Sequence, residues 1–223
     1  MNTNKSFQII KTLQRKYPNA GIALKYGAPI DLLVATILSA QCTDKRVNIV
    51  TKNLFKKYKT VKDYARARQS TFEKEIRSTG FYRNKAKNII NACKMILKNF
   101  NGRIPDTMNE ILKLPGVARK TATVVLSHAY NKIYGITVDT HVIRLSQRLG
   151  LTKNKDAVKI EKDLMEIFPK RLWFILPHLF ISHGRTICIA RKPLCPQCPI
   201  KKLCPSYIIF MRKFYNPTVH NKR

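Results

Sequence analysis

Acidic residues are what this chain has least of. Twelve aspartates and glutamates stand against 43 lysines and arginines, a formal net charge of +31 over 223 residues. That is too lopsided for an ordinary solvated surface. It points to a polyanionic partner, and nucleic acid is the commonest one inside cells. A drift of the whole composition toward lysine, asparagine and isoleucine adds to the excess but does not explain why acids are so scarce.

Long apolar runs are missing as well. The longest, "LLVATILSAQC" and "WFILPHLFISHG", are too short to span a bilayer. The opening residues, "MNTNKSFQIIKTLQRKYP", carry apolar side chains at helical spacing and lack the apolar centre of a signal peptide. The expectation is a cytoplasmic, nucleoid-associated protein with no membrane partner. Disulfides are then disfavoured, and the six cysteines read as thiols or ligands. Strand signals, low-complexity linkers and internal repeats are also absent. An apolar content of 44% makes the chain globular, with length for one large domain or two small ones.

What is present is helical. Apolar residues recur at three and four over roughly 6–17, 30–41, 43–58, 117–130, 140–150, 155–168 and 171–183. In "NKAKNIINACKMILKNFNG", Ile89, Ile90, Cys93, Ile96, Leu97 and Phe100 form one stripe, and Asn101-Gly102 stops the helix. Ser70 with Glu73 and Thr107 with Glu110 read as capping boxes. Cys42 and Cys93 read as small buried hydrophobes on helices. Connections are short, so the fold class is all-α, with about ten helices.

The stretch "LPGVARKTATVV" interrupts this pattern with a forced turn at Pro115-Gly116. A helix ending near Leu114 and another starting near Val117 make a helix-hairpin-helix. The unpaired first amides of the second helix form an anion site, suited to a phosphate. An ordinary αα-corner satisfies the same turn, and the net charge favours the phosphate reading. Lys120 sits in the first turn, where the positive helix end, neighbouring cations and partial burial all disfavour an ammonium. A lysine so placed is a candidate nucleophile that forms Schiff bases. Asp139, in "GITVDTHVIRLSQRLG", reads either as a helix N-cap, a role Thr140 fills equally well, or as a carboxylate acting with the lysine.

Cys188, Cys195, Cys198 and Cys204 lie in "CIARKPLCPQCPIKKLC" with spacing C-x6-C-x2-C-x5-C. Zinc sites built on four cysteines usually show paired C-x2-C arms, and here there is one. The compact run fits an iron–sulfur cluster better; zinc and unligated thiols are the other readings. Arg191, Lys192, Lys201 and Lys202 between the cysteines are candidate phosphate contacts.

These pieces together resemble the endonuclease III family, the DNA glycosylase/lyases of the helix-hairpin-helix base-excision superfamily. The likeness rests on "LPGVARKTA", on "VDTH" with its aspartate nineteen positions after the lysine, and on the cysteine spacing. "LLVATILSAQCTDKRVN" and "GFYRNKAKNI" extend it over about residues 5–205. The resemblance implies a two-lobed all-α fold with a [4Fe–4S] cluster loop: a six-helix lobe over 22–133, a second lobe over 1–21 plus 134–205, and a basic tail at 206–223. It implies a bifunctional DNA glycosylase/AP lyase that removes oxidised pyrimidines. The expected partner is double-stranded DNA with damaged pyrimidines or abasic sites, bound across the cleft between lobes by a monomer. Lys120 matches the nucleophile and Asp139 the catalytic carboxylate. Gln41 and Phe81 match the positions that fill the gap left by the extruded nucleotide, and Gly116, Ala118 and Arg119 the hairpin that holds DNA. Ala118 stands where a second glycine is common and Phe81 where an aliphatic residue is expected. An adenine-mismatch glycosylase is the alternative within the superfamily; that relative usually lacks the lysine and carries a further C-terminal domain. A DNA-binding module with a structural metal is the alternative outside enzymes.

Overall fold

The computed structural model of the chain describes residues 3–215, so residues 216–223 of the expected tail lie outside the described residues. Thirteen α-helices follow one another among the described residues. They are α1 (Thr3–Lys16), α2 (Pro29–Leu38), α3 (Asp44–Lys57), α4 (Val61–Ala65), α5 (Gln69–Ile76), α6 (Tyr82–Asn99), α7 (Met108–Ile111), α8 (Arg119–Tyr130), α9 (Thr140–Arg148), α10 (Ala157–Ile167), α11 (Lys170–Trp173), α12 (Ile175–Thr186) and α13 (Tyr207–Phe214). Short 3-10 turns lie at Arg77–Thr79, Cys195–Gln197 and Lys201–Leu203. No strand interrupts them among the described residues, and the fold is all-α. The chain divides into two compact units, residues 22–134 and residues 1–21 with 135–223.

The unit 22–134 holds α2–α8. That is seven helices, of which α4 and α7 are single turns of five and four residues. Its α2 is apolar nearly all round, and eight of its ten residues are buried, as befits a central helix. On α6 the stripe is narrower than the sequence suggested: Ile89, Ile90, Cys93 and Ile96 are buried, but Leu97 is exposed and Phe100 is a half-buried C-cap. Asn101 and Gly102 then take positive φ and stop the helix. Tyr58, Tyr64 and Phe72 pack together, the first two stacked at 5.1 Å and Phe72 edge-on to both.

Ser70 is not an N-cap: α5 begins at Gln69, so Ser70 lies inside its first turn, and Arg68 at the cap makes no side-chain bond. The capping box instead falls one helix earlier, where Thr60 accepts from the Asp63 amide and the Asp63 carboxylate accepts from the Thr60 amide. Thr107 does cap α7, accepting from the Glu110 amide, but the Glu110 carboxylate accepts from the Thr107 hydroxyl in place of the amide bond of a capping box. Cys93 is buried, and burial pushes its thiol up to about 12. Cys42 is only half-buried and sits in the turn after α2, not on a helix.

The other unit gathers α1 with α9–α13. Ile9, Ile10 and Leu13 of α1 meet Leu145, Leu149, Ile160, Leu164, Phe168, Leu179 and Phe180 in one core. Gly184 lets α12 come close to α9: a Cβ there would lie 2.8 Å from His141 Nδ1 and 2.9 Å from Arg144 Nη2. The segment read as the start of a tail is ordered differently. Residues 207–214 are helical, the Arg148 guanidinium lies 4.7 Å over the Phe210 ring, and the Tyr215 hydroxyl donates to Pro193 O.

Candidate functional site

The hairpin is built by a tight turn. Val117 N–H donates to Leu114 O at 3.1 Å, with Pro115 second and Gly116 third in the turn. Gly116 has φ +77°, the value a type II turn demands at that place. A Cβ on it would also lie 2.8 Å from Asn88 Cβ, so two independent constraints require glycine. The preceding helix ends at Ile111 and α8 begins at Arg119, each further from the turn than the sequence implied. Ala118 is therefore the N-cap and not a helical residue. Its extended backbone (φ −91°, ψ 170°) suits alanine, and a second glycine is not needed.

Alanine at this cap has a chemical consequence. Thr43, Thr60, Asp139 and Asp156 cap their helices with side-chain oxygens, whereas Ala118 offers none. The cap therefore supplies no side-chain acceptor to the first turn of α8, and no acid occupies that turn. Arg119 and Lys120 stand there instead, both exposed. The array suits an external anion. Lys120 lacks the partial burial the sequence suggested, and among the described residues no hydrogen bond or ion pair holds its ammonium.

Two further loops of the same unit carry backbone strain. Gln41, third in a turn closed by Cys42 N–H to Ser39 O at 3.1 Å, has φ +54°. Phe81, at the N-cap of α6, has φ +48° and ψ +26°. Only two other non-glycine residues share that region among those described, Asn101 and Asn131, and asparagine tolerates it. An aromatic residue does not, and this one is also 63% exposed. An exposed phenylalanine held in a strained backbone has no packing explanation.

In the other unit Asp139 is the N-cap of α9, so the aspartate and not Thr140 takes that role. Its Oδ1 accepts from the amides of His141 (2.9 Å) and Val142 (2.8 Å). Both bonds fall on one oxygen, and Oδ2 takes none among the described residues. The carboxylate is thus fixed by one oxygen and half-buried.

The same helix holds the cysteine loop. Arg148 donates to the carbonyls of Cys188, Ile189 and Ala190 and approaches Cys188 Sγ at 3.2 Å. Arg144 donates to Cys188 O and Gly184 O. Sequence reasoning missed both arginines, although their i, i+4 spacing on an amphipathic helix marks one face. Cys188, Cys195, Cys198 and Cys204 are all free thiols and line one cavity with Arg148 and His183. Among the described residues no three His, Cys, Asp or Glu side chains converge on a point a single ion could fill. Burial pushes the Cys198 thiol up to about 12 and raises those of Cys195 and Cys204. Backbone amides of Ile200 toward Cys198, and of Ser206 and Tyr207 toward Cys204, pull the other way. Of the cations in the loop, Arg191 and Lys202 are exposed, Lys201 Nζ is bound to Pro196 O, and Lys192 Nζ lies 5.5 Å over the Tyr215 ring.

Comparison with known proteins agrees over most of the chain. Residues 34–170 match the family model described as the HhH-GPD superfamily base excision DNA repair protein. Endonuclease III of Synechocystis sp. is 54% identical over 199 residues, which is 89% of this chain and 91% of that one. Endonuclease III of Bacillus subtilis is 47% identical over 84% of this chain and 86% of its own. Among solved structures, a trapped endonuclease III–DNA covalent intermediate superposes with a TM-score of 0.90 at 43% identity, covering 95% of this chain and all of that one. A thermostable thymine-DNA glycosylase shares the fold at a TM-score of 0.82 and 22% identity. The chain belongs to the HhH-GPD superfamily of base excision DNA repair proteins, and within it to the endonuclease III family.

Proposed function

We propose that this protein performs base excision on DNA through Lys120, assisted by Asp139, and that it holds a [4Fe–4S] cluster on Cys188, Cys195, Cys198 and Cys204. The protein is a DNA glycosylase with AP lyase activity toward oxidised pyrimidines. The observation that carries the assignment of the chemistry is the exposed, unengaged Lys120 at the second position of α8, next to a forced Pro115-Gly116 turn. The related endonuclease III was captured as a covalent intermediate with DNA, which an amine nucleophile explains.

The steps follow from an amine acting on a sugar. The free amine of Lys120 attacks C1′ of the damaged nucleotide, and the base departs with the C1′–N bond electrons. Ring opening gives a Schiff base at C1′. Loss of a proton from C2′ then drives β-elimination of the 3′ phosphate, and water later releases the lysine. Asp139 contributes negative charge through its uncapped oxygen, opposing the positive charge that grows on the sugar as the base leaves. Gly116, Ala118 and Arg119 hold a backbone phosphate at the α8 amides. Gln41 and Phe81 fill the gap left by the extruded nucleotide, and the cost of extrusion explains why strain is tolerated there. Arg191 and Lys202, with weaker contributions from Lys192 and Lys201, meet further phosphates. The duplex is double-stranded and the protein acts on it as a monomer.

Four thiols lining one cavity, with backbone amides toward Cys198 and Cys204 and the Arg148 guanidinium at 3.2 Å from Cys188 Sγ, fit a cluster larger than a single ion. Thiolates in such a cavity need positive charge beside them. When bound, the cluster supplies that iron charge and cross-links the loop. Borohydride trapping on abasic DNA tests the enzymatic reading: a covalent adduct is expected, and a pure DNA-binding module forms none.

A further inference from the structure

The two strained residues lie on separate loops, and one buried cation ties those loops together. Lys85 is on α6, one turn after Phe81, and is only 5% exposed. Its Nζ donates to Leu38 O at 2.8 Å and to Thr79 O at 2.8 Å. Leu38 is the last residue of α2, three positions before Gln41. Thr79 ends the 3-10 turn two positions before Phe81. The Lys85 amide also donates to Phe81 O at 3.1 Å.

This arrangement is costly for mere space-filling. Burial lowers the pKa of Lys85, which reports the penalty of holding an ammonium away from water. A leucine or methionine would fill the same volume without it. What an apolar side chain cannot do is bond two carbonyls at once. Leu38 O is one of the carbonyls left over at the end of α2, where a cation is favoured. Thr79 O belongs to a different loop. One ammonium therefore sets the spacing between two turns that nothing in their own sequence links.

We propose that Lys85 is a positioning residue for nucleotide extrusion: it clamps the loops of Gln41 and Phe81 into one unit, so that the two side chains enter the duplex together and resist its closing. The inference rests on the reading of Gln41 and Phe81 as gap-filling residues. A duplex with an extruded nucleotide tends to restack, and a wedge mounted on two independent loops yields to that pressure. With Lys85 replaced, each loop moves alone. The loss then scales with how strongly the target nucleotide is paired and stacked, and it vanishes where no extrusion is needed.

The test is single-turnover kinetics on three substrates: an oxidised pyrimidine paired in duplex, the same lesion opposite a missing nucleotide, and a single-stranded abasic site. For Lys85→Met, excision from the paired duplex should fall roughly tenfold or more, as a small misplacement of positioned groups typically costs. The unpaired duplex should recover most of that loss, and single-stranded cleavage should stay within about twofold of the parent. Retained single-stranded cleavage also shows that the variant is folded. Lys85→Gln, which keeps an amide donor in a similar volume, should fall between the parent and the methionine variant. Equal losses on all three substrates, or none on any, would overturn the proposal. So would failure of both variants to fold, since Lys85 would then be a structural requirement. Phe81→Ala and Gln41→Ala judge the underlying reading separately. If neither slows paired-duplex excision, the gap-filling assignment fails whatever Lys85 does.

Discussion

The two units present their candidate groups by opposite means. In the unit 22–134 the groups stand on loops that the fold strains or leaves uncapped. Gln41 and Phe81 sit at positive φ, and Ala118 caps α8 with no side-chain oxygen. In the other unit the groups are tied down: Asp139 by two amides, and the cysteine loop by Arg144 and Arg148 on the same helix. The first unit draws its order from a large core of apolar helices, so its loops carry strain without unfolding it. The second has a smaller core and a long irregular segment from 187 to 206, which needs polar anchors and, on the proposed reading, an inorganic one. Rigidity from a core leaves loops available for strain; rigidity from anchors has to be supplied group by group.

The largest effect tests the strained side of this contrast. Lys120→Gln should reduce base release and borohydride trapping to background, while duplex binding changes little, since one charge among 43 basic residues is removed. Lys120→Arg should fail equally, because a guanidinium stays protonated and forms no Schiff base. Trapping retained in Lys120→Gln would move the nucleophile to another amine.

The next effect tests the anchored side. Cys198→Ser should lower iron and sulfide content, bleach the yellow-brown colour and destabilise residues 135–215, while hydrogen exchange in 22–134 stays near the parent. Uniform loss of protection in both units would erase the distinction drawn between them. A colourless protein carrying zinc and full activity would replace the cluster with a single ion.

How much of this was legible in the sequence follows the same divide. The all-α class, the buried stripe of α6 and the forced Pro115-Gly116 turn are local, and periodicity or backbone chemistry reveals them. Helix boundaries near the turn lie elsewhere than the sequence indicates: α7 ends at Ile111, α8 starts at Arg119, and Ala118, the residue type with the best helix propensity, takes extended backbone as the N-cap. Ser70 misleads for a related reason: the right residues at the right spacing stand two positions past the cap, which falls at Arg68. The positive φ of Phe81 could not be read from a phenylalanine. Lys85, Arg144 and Arg148 were hidden because their partners are backbone carbonyls, which carry no residue identity and lie up to 47 positions away.

Asp139→Asn probes an anchored group that is also assigned chemistry. The amide oxygen still accepts from His141 and Val142, so α9 should keep its cap and the melting temperature should barely move. Base excision should slow by about a hundredfold, the usual cost of lost transition-state charge stabilisation. Trapping on a preformed abasic site should suffer far less, since no base has to leave. Equal slowing on both substrates would assign Asp139 to a later proton transfer, and a large drop in melting temperature would reduce it to a cap.

The smallest effect concerns how much strain the larger core tolerates. Gly116→Ala meets two penalties at once. A non-glycine residue at φ +77° costs about 1–2 kcal/mol. The new Cβ would also lie 2.8 Å from Asn88 Cβ, an atom close to the α6 backbone that cannot swing aside. Together these should destabilise the unit 22–134 by roughly 2–3 kcal/mol. Asn88→Ala should not rescue it, because alanine keeps the Cβ that clashes. Asn88→Gly should recover part of the loss after allowance for its own helix cost of about 1 kcal/mol. If Asn88→Ala alone restored stability, the clash would lie with the amide end of the side chain, and the hairpin would be softer than the geometry indicates. Phosphate affinity should fall along with stability, because the turn that aims the α8 amides would have shifted. A variant that loses stability but holds DNA as before would separate the turn from the anion site.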